Sequence, residues 1–342
     1  MGKTAGTPKL EAAIGLDIGS YSVKCVEVAQ EGEALKLQRV SILALPDSSP
    51  ATLSALVKVM MNFPMAGKRL RVSVSGPSVL IRRISLPVMT PAEVKSAIRF
   101  EAEGHIPFPI NDCILDCQIL SHEPAKKTMN VLLVAAKRDF VMGRLKLLSD
   151  AGLQPDLIDV DIFCLANAFT LLGEAETDTY GILNIGHQVS SFVIMHAGLP
   201  YFVREIPTGG REVTRALAET KKLSEPLADK AKIERPASVS QKDLEAATQK
   251  GFESLAEEMK HSIDYFENEM SEELKTIWLS GGGALCAGAE HNLSDELGKN
   301  LKLWDNTKKM QVFGDIDQKF LKDRSSELNV ALGMALRGAR RK

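Results

Sequence analysis

The sequence predicts an α/β protein of two similar halves facing each other, with a smaller αβ module inserted into the first. Three observations predict it. A strand–turn–strand pattern at residues 14–28 returns at 182–195, where Leu16-Asp17-Ile18-Gly19 aligns with Leu183-Asn184-Ile185-Gly186 at an offset of 167 in 342 residues. A repeat near half-length implies duplicated halves. Between the copies lies a segment with strand and helix signals of its own. Finally, 44% apolar and 25% charged residues over this length supply more than one core, which fits two or three domains or one large α/β unit with an insertion.

In chain order, residues 14–28 read as strand, Asp-Ile-Gly-Ser corner and returning strand, with apolar positions at Val23, Cys25, Val26 and Val28. Val72–Ser75 and Leu80–Ser85 read as strands, the second alternating Leu80, Ile84 and Leu86 around Arg82-Arg83. Thr90-Pro91-Ala92-Glu93 starts a helix: Thr as N-cap, Pro at the first helical position and Glu three residues on. That helix runs to about Gly104; strands near 114–120 and 129–136 and a helix at 139–150, ended by Gly152, complete the module. After the second hairpin, 26 of the 65 residues from 211 to 275 are charged. Phe252, Leu255, Met259, Ile263, Phe266 and Met270 recur there at three- and four-residue spacing, so a core-facing helix with a solvated opposite side is expected. Residues 236–250 read as a polar connector to it.

Composition excludes several classes. A net charge of −2 gives no basis for non-specific nucleic-acid binding, and 5% aromatics supply few stacking platforms. The longest apolar run, Val131–Ala136, is far short of the ~20 residues that cross a bilayer. Residues 1–13 show no secretory h-region. Five scattered cysteines (Cys25, Cys113, Cys117, Cys164, Cys286) lack zinc-site spacing and read as reduced, mostly buried thiols in a soluble protein of a reducing compartment. His105, His122, His196, His261 and His291 show no metal spacing, and Glu101 and Glu103 fall on different helix faces, a poor arrangement for acid–base work.

The candidate chemistry lies at the turns. A strand ending in Asp17-Ile18-Gly19-Ser20 places a carboxylate, a flexible residue and a hydroxyl together. Backbone N–H groups at such a turn can cradle phosphate oxygens, and Asp can hold a hydrated Mg2+. Lys24, on the returning strand, can meet a phosphate as a point charge. A second hairpin facing the first can clamp a triphosphate from the other side. A third element, Trp278-Leu279-Ser280-Gly281-Gly282-Gly283, runs a strand into glycines that allow close approach to a flat ligand, and the helix after it offers its N-terminus.

This order of hairpin, hairpin and triple glycine resembles the actin-like ATPase superfamily, with its duplicated, ribonuclease H-like fold. Within it, Glu101-Ala102-Glu103-Gly104-His105-Ile106-Pro107-Phe108-Pro109 and Arg204-Glu205-Ile206-Pro207-Thr208-Gly209-Gly210 resemble signatures of the type IV pilus assembly protein PilM family. Asp159-Val160-Asp161 and the helix from Leu255 to Phe266 are also similar, and the resemblance covers about residues 12–340. It implies two actin-like lobes with a nucleotide cleft. Subdomain 1A would be 10–82 with 156–178 and 316–342, an inserted subdomain 1C placed as in the division protein FtsA would be 83–155, and the second lobe 179–315, with its subdomain 2B at about 211–275. It also implies ATP and Mg2+ as ligands, a cytoplasmic location peripheral to the bacterial inner membrane, and binding of the N-terminal cytoplasmic tail of a PilN-like membrane protein in a groove between 1A and 1C. Contact with the pilus motor ATPase is implied too, with neither nucleic acid nor direct membrane insertion. A related secretion or competence platform would share these features. The alternatives are an FtsA-like division protein and, on the same fold, a small-molecule kinase, for which no catalytic carboxylate base is found.

Residue by residue, Asp17, Gly19, Ser20, Ser22 and Lys24 match the first phosphate loop, Asn184 and Gly186 the second, and Gly281, Gly282 and Gly283 the adenosine loop. Gly209 and Gly210 would border the phosphates. Leu227-Ala228-Asp229-Lys230-Ala231-Lys232 resembles the helix near ribose and base, with Asp229 replacing a family Glu and Lys232 keeping its charge. Mg2+ would be held through water by Asp17 and Asn184. The superfamily usually has Asp where Asn184 stands, and His187 follows in a loop that normally holds small residues. An amide adds no negative charge to a metal site, so nucleotide is expected as a structural clamp with hydrolysis slow or absent, at most a weak ATPase. A C-terminal helix carrying Val330, Leu332, Met334 and Leu336 precedes Arg337, Arg340, Arg341 and Lys342; it reads as the last helix of the fold rather than a membrane anchor.

Overall fold

The computed structural model describes residues 10–31, 34–46, 49–174 and 177–337. β1 (Leu10–Ile18), β2 (Ser22–Glu31) and β3 (Ala34–Ala44) form an antiparallel meander, and α1 (Pro50–Met60) leads into β4 (Arg69–Val74), parallel to β1. The inserted module follows as β5 (Val79–Pro87), α2 (Pro91–Glu103), β6 (Cys113–Glu123), β7 (Thr128–Lys137) and α3 (Arg138–Asp150). Its sheet, ordered β5-β7-β6, begins at Val79, four residues ahead of the boundary expected at 83. The chain returns to the first sheet with β8 (Leu157–Val160) and crosses over through α4 (Asp161–Leu172).

The second half opens with β9 (Thr179–Ile185), β10 (Ser190–His196) and β11 (Leu199–Ile206), then three helices, α5 (Gly210–Lys221), α6 (Glu225–Glu234) and α7 (Gln241–Met270). β12 (Thr276–Ser280), α8 (Ala289–Leu297) and β13 (Asn300–Leu303) finish its sheet. The last segment goes back to the first half: β14 (Gln311–Val312) pairs with β3, and α9 (Gln318–Arg324) precedes α10 (Asn329–Ala335). The orders β3-β2-β1-β4-β8 and β11-β10-β9-β12-β13 are the same arrangement, with the same sequence of antiparallel and parallel pairs. The four-residue repeat in the sequence is the trace of that duplication.

One core spans both halves. Phe169 of α4 and Leu332 of α10 pack with Val26 of β2 and with Ile182 and Val193 of the second sheet. The two helices meet so closely that a Cβ at Gly333 would lie 1.9 Å from the Cys164 carbonyl oxygen. The inserted sheet has two apolar faces: Ile84 and Leu86 lie under Val94 and Ile98 of α2, while Val79 and Ile81 join the shared core. β5 therefore carries more buried positions than its alternation around Arg82-Arg83 suggested. The Thr90–Glu93 capping box is present, Glu93 accepting from the Thr90 N–H at 2.7 Å.

One reading is corrected. The stretch 236–250 is not a connector throughout, because α7 begins at Gln241. Ser240 and Asp243 form a second capping box, and Leu244, Ala247 and Thr248 are buried, so the first turns carry an apolar stripe too sparse to stand out among charges. α5, α6 and α7 share one core with the second sheet rather than enclosing their own. Val330, Leu332, Met334 and Leu336 are buried, as befits a last core helix. Arg340, Arg341 and Lys342, and residues 1–9 of the stretch read for a leader, lie outside the described residues.

Candidate functional site

The β1–β2 turn is Gly19-Ser20-Tyr21, closed by the Gly19 N–H donating to the Ser22 carbonyl at 3.1 Å. Strand register sets Asp17 opposite Lys24. Directly opposed side chains share a face of the sheet, and the Lys24 Nζ lies 3.0 Å from Asp17 Oδ2, both groups largely buried. The β9–β10 turn repeats this closure: the Gly186 N–H donates to the Val189 carbonyl at 3.1 Å. Here the register sets Asn184 opposite Ser191, and Asn184 Oδ1 accepts from the Ser280 hydroxyl at 3.1 Å.

β12 lies parallel to β9 and delivers the glycines to the same place. Gly281 has φ +86°, and a Cβ there would stand 2.4 Å from the Ile185 carbonyl oxygen, so both conformation and space demand glycine. Its N–H donates to the Ser326 carbonyl at 2.9 Å, tying this turn to the chain ahead of α10. The expected helix N-terminus is not directly behind it: a single tight turn over 282–285 intervenes, and α8 starts only at Ala289. At the start of α5, the Gly210 and Arg211 N–H groups donate to the Gly186 and His187 carbonyls at 2.9 and 2.8 Å. Gly209 is pressed beneath that turn, its would-be Cβ 2.5 Å from the Gly186 oxygen.

These elements surround a cavity of about 690 Å³ between the halves. Of the residues singled out in sequence, Ser22, Lys24, Gly186, His187, Gly210, Lys232, Gly282 and Gly283 line it. Asp17 and Asp229 are the ion-pair partners of Lys24 and Lys232, and Asn184 Oδ1 lies against Gly281. Gly19, Ser20 and Gly209 shape the turns without lining the cavity. Sequence reasoning missed Tyr21, Arg235, Cys286, Arg324 and Glu327, which also line it. Arg324 and Glu327, paired at 2.7 Å, come from the C-terminal segment, where no motif marked them.

A polar network fixes α6 to the site. Lys232 Nζ contacts the Gly210 carbonyl at 3.1 Å, Thr214 Oγ1 at 2.7 Å and Asp229 Oδ1 at 2.9 Å. The Tyr21 hydroxyl donates to Asp229 Oδ2 at 2.6 Å, and the Tyr21 ring lies 4.7 Å from the His187 ring. Burial works against the Asp229 carboxylate, but the Tyr21 hydrogen bond and the Lys232 charge outweigh it and hold its pKa below the usual value. Burial and then the Lys232 charge lower His187 from its ordinary value. On the other side of Asp17, burial and then the Asp17 charge raise the Asp161 carboxyl. Burial also pushes Glu205 up to about 7, even though both its oxygens accept from the Gly76 N–H at 3.1 and 3.2 Å.

The family model described as type IV pilus assembly protein PilM matches residues 15–339. Among solved structures, the chain is similar to one in a PilM–PilN type IV pilus biogenesis complex, with 28% identity, TM-score 0.84, and coverage of 98% of this chain and 100% of that one. It is similar in fold to the ethanolamine utilization protein EutJ from Carboxydothermus hydrogenoformans, at 14% identity and TM-score 0.53 over 97% and 91% of the two chains. It also resembles MreB5 of Spiroplasma citri bound to AMPPNP, at 10% identity and TM-score 0.51 over 95% of each chain. The fold is the actin-like one, duplicated α/β halves around a cleft.

Proposed function

The chain belongs to the type IV pilus assembly protein PilM family, and from that premise we propose that it is a nucleotide-binding scaffold of the pilus inner-membrane platform. It takes Mg-ATP in the cleft and the cytoplasmic tail of a PilN-like membrane protein in a groove between the first lobe and the inserted module. The observation that carries the nucleotide reading is the convergence of both hairpin turns, the triple glycine and two lysines, Lys24 and Lys232, on one cavity of about 690 Å³. That volume lies in the range of ordinary ligand pockets. The partner reading is supported by the likeness to a chain of a PilM–PilN type IV pilus biogenesis complex over nearly the whole length. A cytoplasmic position beside the membrane, held through the partner and in contact with the motor ATPase, completes the proposal. Among the described residues no helix is long and apolar enough to cross a membrane.

The donor set fits a hydrated magnesium ion carried by phosphates. Among the described residues no three His, Cys, Asp or Glu side chains are grouped to hold a metal, and Mg2+ commonly keeps its waters and borrows one or two carboxylates plus substrate oxygens. Asp17 supplies a carboxylate, and Asn184, an amide engaged by Ser280, supplies none. Bound Mg-ATP would bring the negative charge that Lys24 and Lys232 face. Lys24 neutralises phosphate charge, the glycine turns let backbone approach the ligand, and the two halves close on it. With Asp17 as the one carboxylate among the residues that would hold the metal, water activation would be weak and nucleotide would act as a clamp rather than a fuel.

Calorimetry with Mg-ATP, on the wild type and on Asn184→Asp, tests this reading. Binding by the wild type with turnover slower than dissociation is the expected result. No binding by either protein would sink the phosphate-loop assignment. Binding only by the variant would leave a protein scaffold without nucleotide. Affinity for a PilN-like tail peptide, with and without Mg-ATP, tests the partner separately.

A further inference from the structure

The first sheet carries a second cavity, at the end away from the phosphate-loop turns. The Gly19 turn follows the C-terminal end of β1, whereas β4 and β8, parallel to it, start at the opposite end of the sheet. There Arg69, Arg71, Asp156, Leu157 and Arg337 line a space of about 420 Å³. It shares no residue with the cleft between the halves. Arg69 and Arg71, two apart on β4, project from the same face of the sheet.

Arg71 holds the end of α10 with one side of its fork. A guanidinium has five N–H donors in a plane. The two on Nη1 serve three carbonyls, those of Met334 at 3.2 Å, Ala335 at 3.1 Å and Arg337. The opposite edge, Nε and Nη2, donates to no acceptor among the described residues, although Arg71 is only 8% exposed. The carboxylates nearby are engaged elsewhere. Asp156 Oδ2 accepts from the Leu70 N–H at 2.9 Å, and Asp159 Oδ2 pairs with Arg337 Nε at 3.0 Å. That pairing leaves the Nη end of Arg337 for another acceptor. Burial and then the Arg69 charge lower the Arg71 pKa, and Asp156 offsets them only in part. A buried cationic donor without an acceptor is costly, and an anion at this edge would remove that cost.

We propose that this cavity is an oxyanion site, in which the Nε–Nη2 edge of Arg71 holds two oxygens of a phosphate or carboxylate group and Arg337 supplies a second guanidinium. Two parallel N–H donors match the spacing of such oxygens, which a lysine would meet only as a point charge. The bound group would tie the start of β4 to the residues that close α10, since Arg71 reaches both. The site is independent of the nucleotide reading and lies at the other end of the lobe.

Hydrogen exchange with inorganic phosphate as the probe tests it without nucleotide. Phosphate, compared with chloride at equal ionic strength, should slow exchange at residues 69–72 and 334–337 of the wild type. Lys24→Met should show the same slowing, because that cation lines the other cavity. Arg337→Gln keeps the backbone carbonyl that Arg71 bonds, and should need about tenfold more phosphate for the same effect. Arg71→Lys keeps the charge without the parallel donors and should lose at least as much; Arg337→Gln decides the matter if the lysine loosens α10. Acetate in place of phosphate identifies the natural group. Equal slowing by acetate marks a site for carboxylates, slowing by phosphate alone a site for phosphoryl groups, and either supports the proposal. No slowing by either anion, equal slowing by chloride, loss of the effect in Lys24→Met, or an unchanged phosphate requirement in Arg337→Gln would overturn it.

Discussion

In the first hairpin Asp17 faces Lys24 across the strand pair, whereas in the second the equivalent Asn184 faces Ser191 and takes a hydrogen bond from Ser280. The backbones of the two turns are closed by the same N–H to carbonyl bond at the same 3.1 Å. Duplication preserved the main-chain geometry, because each turn must fit the same strand order and the same approach of a neighbouring element. The side chains were free to diverge, and they did so in charge. The first turn carries a buried ion pair. The second is neutral, backed by amide and hydroxyl groups.

The largest expected effect comes from removing the cation of the charged half. Lys24→Met leaves Asp17 buried without its partner, and truncating one member of a buried pair costs about 2–5 kcal/mol. Mg-ATP affinity should fall about a hundredfold, read by calorimetry, together with a lower unfolding temperature. An equal loss on Ser191→Ala would erase the distinction between the halves. Next comes Asn184→Asp, which makes the second turn resemble the first. It should tighten Mg2+-dependent ATP binding by about tenfold, the scale of one added charge contact, with little change when Mg2+ is left out. A gain independent of Mg2+ would mean that the two turns do not share a metal.

A third test concerns the joint between the halves. Glu205, at the end of β11, grips the Gly76 N–H just after β4. Its folded pKa is raised from 4.5 to about 7, chiefly by burial, so the folded protein holds this proton more tightly than the unfolded chain. That contribution is fully present below about pH 4.5 and is lost as pH rises to about 7. Glu205→Gln should flatten the fall in unfolding temperature over that window. A slope unchanged in the variant would place the titrating group elsewhere. The smallest effect is expected at Ser240→Ala, which removes the N-cap of α7 and should cost about 1 kcal/mol of stability. Nucleotide affinity should not move; if it does, the second turn is coupled to its helical scaffold more tightly than the first.

Much of this was legible in the chain. The repeated Leu-x-Ile-Gly, the capping box at Thr90, the apolar stripe from Phe252 and the triple glycine each impose local geometry through periodicity, donor placement or the need for φ > 0. Those are nearest-neighbour effects, and sequence carries them. The start of α7 escaped because its cap is made of common residues and, after Leu244, its first buried positions are small. Arg324, Glu327 and Tyr21 escaped for a different reason: their roles depend on partners or walls more than a hundred residues away.

The sequence by itself determined two copies of one α/β hairpin, an inserted module and a set of residue types suited to phosphate. Only the tertiary structure decided which of those residues share a wall. Chain crossovers through α4 and α10 bring the turns face to face; the resulting burial lowers His187 and raises Glu205 to about 7, while the Tyr21 and Lys232 contacts hold Asp229 low against burial. Desolvation and long-range pairing have no signature in a linear pattern, because they exist only once distant segments exclude water from one another.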